Sequence, residues 1–344
     1  MTTLYDTQEA CKISKDKEVK GLFLSKLKHH LKQYSFFNFF FVLIGVFEVL
    51  LCLVFFNLLI QTQLLAISLA LFLMTIFSYL ILKTYFQNKK PQNLLRLCNE
   101  TYKVIIGNAS NFQNPSESKL FIASSLLRLA NSLRDQEYEF YKPPKSLESL
   151  RLSFEKMGAW LHWKDFHLVK EWLFFQAIKE YVSLIKEQPD HLQLHVELAN
   201  TYVIFSRIYS APKMDHTENT RWVPPEKFSE KMKTKFTNCA QRAIEEFKIL
   251  NHYNPEDPWV YTQLAYSYHD LNMPQEEIEA YETIAKLTPH DYDNLYKLGT
   301  LYFKEGLTAK GLKVYEEIKR EYPQKAESLI KYYGHYNNAH VFLD

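Results

Sequence analysis

Glycine is scarce here, eight residues in 344, and with thirteen prolines the chain lacks the turn-forming supply that all-β folds need. Cysteine is scarcer still. Cys11, Cys52, Cys98 and Cys239 are scattered without a Cys-x-x-Cys pair, which argues against a disulfide framework or a zinc site and suits a reducing compartment. A net charge of +2 is too small an excess to indicate nucleic acid as a partner. No Gly-x-Gly-x-x-Gly, Walker-type loop, His-Glu-x-x-His or Gly-x-Ser-x-Gly occurs, so no cofactor, metal or catalytic residue is expected. The abundance of Leu, Glu, Lys and Tyr points to an all-α chain.

The most pronounced absence is of charge. From Gln33 to Leu82 only Glu48 is a charged side chain, and the rest is mainly Phe, Leu, Ile and Val. A bilayer core takes about 20 apolar residues per helix, so this stretch is long enough for two spans. Asn57 and Gln61-Thr62-Gln63 mark the turn, which predicts helices near 36–56 and 64–82 in a hairpin segment of 33–86. A secretory signal, with an apolar region of about 7 to 15 residues, is excluded by length. Lys20, Lys26, Lys28 and Lys32 precede the first span and Lys83, Lys89, Lys90 and Arg96 follow the second, which predicts both termini in the cytoplasm. Val19, Leu22, Phe23, Lys26 and Leu27 suit either an amphipathic helix of residues 1–32 on the inner leaflet or an ordinary solvated helix. Glu48, mid-span, marks either an ion pathway or a packing contact; packing is preferred, with Ser68, Thr75 or a second copy of the hairpin as partner, the last implying self-association.

The remainder is governed by repetition. Prolines recur at Pro189, Pro255, Pro289 and Pro323, the last two intervals both being 34, and an aromatic stands eight residues before each: Tyr181, Phe247, Tyr281 and Tyr315. Small residues recur as well, at Ala199, Ala265 and Gly299, each preceded by Leu and followed three residues later by Tyr. With these features the chain resembles the tetratricopeptide repeat family, whose 34-residue unit is a helix-turn-helix. The resemblance covers about 145–335 and implies an α-solenoid. Two departures stand out. Glu277 and Gly311 occupy a position usually held by alanine, so those pairs are expected to be looser, and an insertion at about 209–238 separates the two helices of the unit ending at Pro255. That insertion, with Trp222 and Phe228, is either an excursion covering an edge of the stack or a partner-binding lid.

Upstream, 87–144 is expected to be linker and a helical N-cap region, Lys119–Gln136 and Ser149–Trp163 to be amphipathic helices, and the latter to pack as a first helix against Val169–Lys186. Downstream, a capping helix near Gln324–Tyr333 is expected, then a short tail, 336–344, that frays or folds back. Trp160, Trp163 and Trp172 read as core, and His191/His195 and His162/His167 as surface pairs.

The resemblance also implies a concave groove lined by first helices. Its residues here are Asn200, Ile204, Trp259, Thr262, Tyr266, His269, Tyr296, Thr300, Phe303 and Lys304, with Gln193, Val196, Val203, Asp270 and Asp293 beside them. The set is aromatic and mixed, and it lacks the basic clamp with which chaperone cofactors of the family hold a C-terminal carboxylate. An amphipathic helix or extended peptide is the expected ligand. The chain therefore reads as a non-enzymatic scaffold: lipid bilayer through 33–86, protein partner in the groove. An accessory or assembly factor serving a membrane complex is the alternative. A weaker resemblance, in topology alone, is to inclusion-membrane proteins secreted by intracellular bacteria.

Overall fold

The computed structural model describes residues 2–56, 64–110, 112, 114–210 and 222–341, with the side chains of 2–17, 145, 147 and 335–341 excepted. Eleven α-helices and two short 3-10 turns account for the described elements. The expected turn at Asn57 and 61–63 lies outside the described residues, as do 211–221 of the insertion and the last three residues of the tail. Two compact units divide the chain: Met1–Glu180 with Lys213–Pro224, and Tyr181–Pro212 with Pro225–Asp344.

The first unit is built on two very long helices, α1 (Thr2–Val54) and α2 (Leu64–Ala109). Glu18–Val54 and Leu64–Ala109 both contain stretches long and apolar enough to cross a membrane, and no residue of the most apolar window in either is fully buried. Both helices continue beyond the apolar stretch and join α3 (Pro115–Ser132) and α4 (Arg151–Glu187) in a bundle. Helix α3 starts where it does because the Asn114 side chain accepts from the Ser116 amide at 3.0 Å and Pro115 supplies a first-turn residue with no amide to satisfy.

Three expectations fail in this unit. The apolar stripe of the N-terminal segment is divided: Phe23 and Leu27, with Leu31, are buried in the bundle, while Leu22 stays exposed. Residues 87–109 are not linker but helix, with Leu94, Leu97, Cys98 and Ile105 in the core. Ser149–Trp163 and Val169–Lys186 do not form a helical pair, because α4 runs unbroken for 37 residues. The stretch between them, Lys164 to Leu168, holds no proline or glycine that could end a helix.

The second unit consists of helix pairs. Helix α5 (Leu192–Arg207) pairs with α6 (Glu230–Tyr253), α7 (Pro258–Asp270) with α8 (Pro274–Leu287), and α9 (Tyr292–Lys304) with α10 (Thr308–Glu321); α11 (Pro323–Val341) caps the last pair. The repeat prolines act as expected: α4, α6, α8 and α10 each end two residues before Pro189, Pro255, Pro289 and Pro323. Asn272 and Gly306, 34 positions apart, both take positive φ (55° and 73°) in the turn between paired helices. Only residues tolerant of the left-handed region suit that turn.

Ala199 and Ala265 are fully buried, and a Cβ added to Gly299 would stand 2.8 Å from a Leu329 methyl, so the small-residue positions are real helix contacts. The pairs at Glu277 and Gly311 are not loose. Buried Glu277 is bonded to His269, and at Gly311 the Phe303 ring fills the space, 2.5 Å from where a Cβ would be. Helix α6 begins at Glu230, earlier than the Cys239 expected, and the Pro225–Phe228 turn precedes it. The capping helix is longer than expected, running to Val341.

Candidate functional site

The first helices α5, α7 and α9 carry the groove positions. Aspartates start two of them: Asp257 accepts from the Trp259 amide at 2.9 Å, and Asp291 from those of Asp293 and Asn294 at 3.1 Å. Trp259 and Tyr266 are solvent-facing, 41% and 45% exposed, and His269 and Lys304 are exposed too. Asn200, Ile204, Thr262, Tyr296 and Thr300 are half-buried. Thr262 and Thr300 turn their hydroxyls onto the carbonyls of Pro258 and Lys297, so their polar tips are used within their own helices.

Neighbouring elements fix the ring positions. Lys297 donates to the Tyr266 hydroxyl at 2.9 Å, and the Trp259 ring meets Phe247 edge-on at 6.1 Å. Asp293 pairs with Lys325 at 2.5 Å, which holds its carboxyl below the usual range. Phe303 is the exception to the groove expectation: it is 2% exposed and lies 4.7 Å from the Tyr333 ring of α11. The capping helix takes the face that a further repeat would otherwise use.

The histidine expectations also change. His195 is buried; its Nδ1 meets Glu246 at 2.6 Å and its Nε2 the Pro189 carbonyl at 2.9 Å, tying α5 to α6 and to the preceding turn. His162 and His167 are buried rather than at the surface, His167 stacked on Trp163 at 4.8 Å. Trp160, read as core, is 69% exposed, whereas Trp163 is buried and Trp172 sits edge-on to Tyr102 at 6.1 Å. The Trp222 carbonyl accepts from the Tyr138 hydroxyl at 3.2 Å. In the hairpin the Thr75 hydroxyl lies 2.7 Å from Glu48 Oε1 and 3.1 Å from the Leu71 carbonyl, while Glu48 Oε2 is buried without a partner and Ser68 bonds to Leu65. Of the two partners expected within the chain, Thr75 rather than Ser68 meets Glu48.

Ser35, His162 and Asp165 have the residue types of a hydrolytic triad. His162 Nε2 stands 3.3 Å from Ser35 Oγ and 3.1 Å from the Tyr141 hydroxyl, and its Nδ1 is 3.6 Å from Asp165 Oδ2. The chemistry is not there. Ser35 lies mid-helix, where backbone amides are engaged in helix bonds and cannot form an oxyanion hole, and its hydroxyl bonds to Leu31. The cluster is a structural junction among α1, α4 and the turn after α3.

That junction is pH-sensitive. Burial, the largest influence, lowers the His162 pKa; Asp165 opposes this and Lys90 reinforces it, with Tyr141, Ser35 and Phe140 as uncharged neighbours. A histidine depressed in the folded state favours folding above its unfolded value of about 6.5 and loses that contribution as pH falls through the folded value. Urea midpoints of the first unit should therefore drop between neutral pH and about pH 5. His162→Gln should flatten the decline; an unchanged slope would remove His162 as its source.

Taken together, the paired helices, their recurrent small-residue contacts and the turn repeated at 34 residues define an α-solenoid with a solvent-facing aromatic strip. Residues 293–325 match the tetratricopeptide repeat family model, and the fold is all-α and built of helix pairs. No curated protein matches the sequence. Among solved structures, a thermophilic TPR protein of Thermus thermophilus is 15% identical with TM-score 0.31, covering 72% of this chain and 98% of that one. MamA of Desulfovibrio magneticus RS-1 is 11% identical with TM-score 0.31, covering 66% and 97%. The TPR domain of P58(IPK) is 12% identical with TM-score 0.24, covering 95% and 98%.

Proposed function

We propose that the chain is a membrane-anchored scaffold whose first-helix face receives a protein or peptide. The carrying observation is that Trp259 and Tyr266, both on the first helix α7, remain solvent-facing, with Lys297 of α9 bonded to the Tyr266 hydroxyl and Tyr296 and Thr300 half-buried on that next first helix. Exposed aromatics held by neighbouring contacts lose little entropy on binding, which makes them good anchors. The reading places spans near 36–56 and 64–82, with lipid around their uncovered apolar surface and the lysine-flanked ends in the cytoplasm. Nothing in the face supplies a nucleophile beside a base, so recruitment, rather than turnover, is its role.

A photoreactive residue in place of Tyr296, activated in intact membranes, tests this. A discrete protein adduct that weakens at least several-fold in Trp259→Ala and Tyr266→Ala is expected. Adducts only with lipid or with the chain's own C-terminal helix would count against the scaffold.

A further inference from the structure

The first unit exposes an apolar surface of its own. Leu150, Leu152, Met157 and Trp160, at the start of α4 and in the 3-10 turn before it, are all exposed, Leu152 at 61%. Single exposed apolar residues are ordinary; four within eleven residues are not.

Their position along the hairpin explains them. Tyr34 and Ser35 stand immediately before the first span, and Tyr34 lies 5.9 Å from Phe86 with Lys90 over its ring, which sets the level of Ser35 on α2 near Phe86 to Lys90. Helix α4 meets this level at His162, against Ser35, and at Asp165, against Lys90. Farther on, Trp172 and Glu180 meet Tyr102. From Lys90 to Tyr102 and from Asp165 to Glu180 the two helices therefore run the same way. Upstream of His162, α4 must continue in the opposite sense, back past Ser35 along the apolar stretch. Arg151 to Leu161 adds about 16 Å of helix in that direction. Gly158 holds the segment down: its missing Cβ would stand 2.6 Å from the Glu137 carbonyl, so α4 there is pressed against the turn after α3.

We infer that the N-terminal turns of α4, with the 3-10 turn before them, form an interfacial anchor that enters the headgroup boundary of the bilayer beside the hairpin. The chemistry matches that depth. Indole is favoured at the interface, Leu150 and Leu152 lie at the end reaching farther along the hairpin, the long Arg151 side chain between them can snorkel back toward the headgroups, and Lys164 is exposed next to the Ser35 level, where phosphates would be. The apolar surface is continuous in level with the uncovered side chains at the hairpin base, such as Leu82 and Tyr85.

The inference rests on the two-span reading, and the test separates them. The full chain, its native cysteines replaced, is reconstituted in phosphatidylcholine–phosphatidylglycerol vesicles with an environment-sensitive fluorophore on Leu152→Cys, Phe77→Cys or Lys248→Cys. All three sites are exposed, so labelling leaves the fold intact. Quenching by headgroup-proximal nitroxide lipids should be several-fold greater at 152 than at 248, and acyl-chain nitroxides should quench 77. Quenching at 77 with 152 matching 248 overturns the anchor and leaves the hairpin. A blue-shifted 152 that lipid nitroxides fail to quench assigns the surface to a protein contact and also overturns it. Loss of quenching at 77 removes both readings.

Discussion

Lys170→Met is expected to destabilise the first unit by about 3–5 kcal/mol, the cost of leaving one member of a buried ion pair alone. Lys170 donates to both carboxylate oxygens of Glu137, at 2.9 and 3.0 Å, and both residues are buried. Glu137 sits in the turn after α3, where Asp135 takes φ 61°, so the pair ties an irregular segment to α4. Methionine keeps most of the lysine's volume but cannot satisfy the carboxylate. The double variant Lys170→Met with Glu137→Leu should recover much of the loss, since it removes the stranded charge as well. Urea unfolding in detergent, read for each single variant and the double, gives the coupling. A double variant as unstable as the sum of the singles would show that the two side chains do not act as a pair.

Phe303→Ala should cost about 3–5 kcal/mol, whereas Tyr266→Ala, at another expected groove position on the preceding first helix, should stay within about 0.5 kcal/mol. The difference follows from coverage. Phe303 is enclosed between Gly311 and the Tyr333 ring, while Tyr266 touches Lys297 and solvent. In partner capture the ranking should reverse once folding is controlled for, Tyr266→Ala losing the adduct and Phe303→Leu keeping it. Thermal denaturation followed by circular dichroism checks the stability half. Equal losses for the two alanine variants would mean that the aromatic strip is structural throughout.

What can be read from the residues alone is local and periodic. Proline at the end of each second helix, a small residue at each close contact and Asn272 and Gly306 in the turns act within a few positions, so spacing reports them. Features set by distant partners cannot be read in this way. An apolar stripe such as Phe23, Leu27 and Leu31 looks the same whether it meets a leaflet or a bundle, and what it meets here comes from helices far along the chain. His195 reads as a surface residue because its partner Glu246 lies beyond the insertion. Phe303 falls at a groove position by repeat arithmetic, and only the length of α11 shows that the last pair has its face closed. Composition assigns Trp160 to the core, but the direction of α4 past Ser35 takes it out.

The order of the elements along α1, α2 and α4 imposes an order of synthesis. The bundle takes Phe23, Leu27 and Leu31 from near the beginning of the chain and Phe166, Leu173 and Phe174 from more than 130 residues later. Translation delivers both apolar helices of the hairpin before α4 exists, so the hairpin is available to pair before the bundle can close around its base. A nascent chain halted before Arg151 would hold its apolar stripe against α2 and α3 alone, with the His162 and Asp165 contacts to Ser35 and Lys90 still unmade.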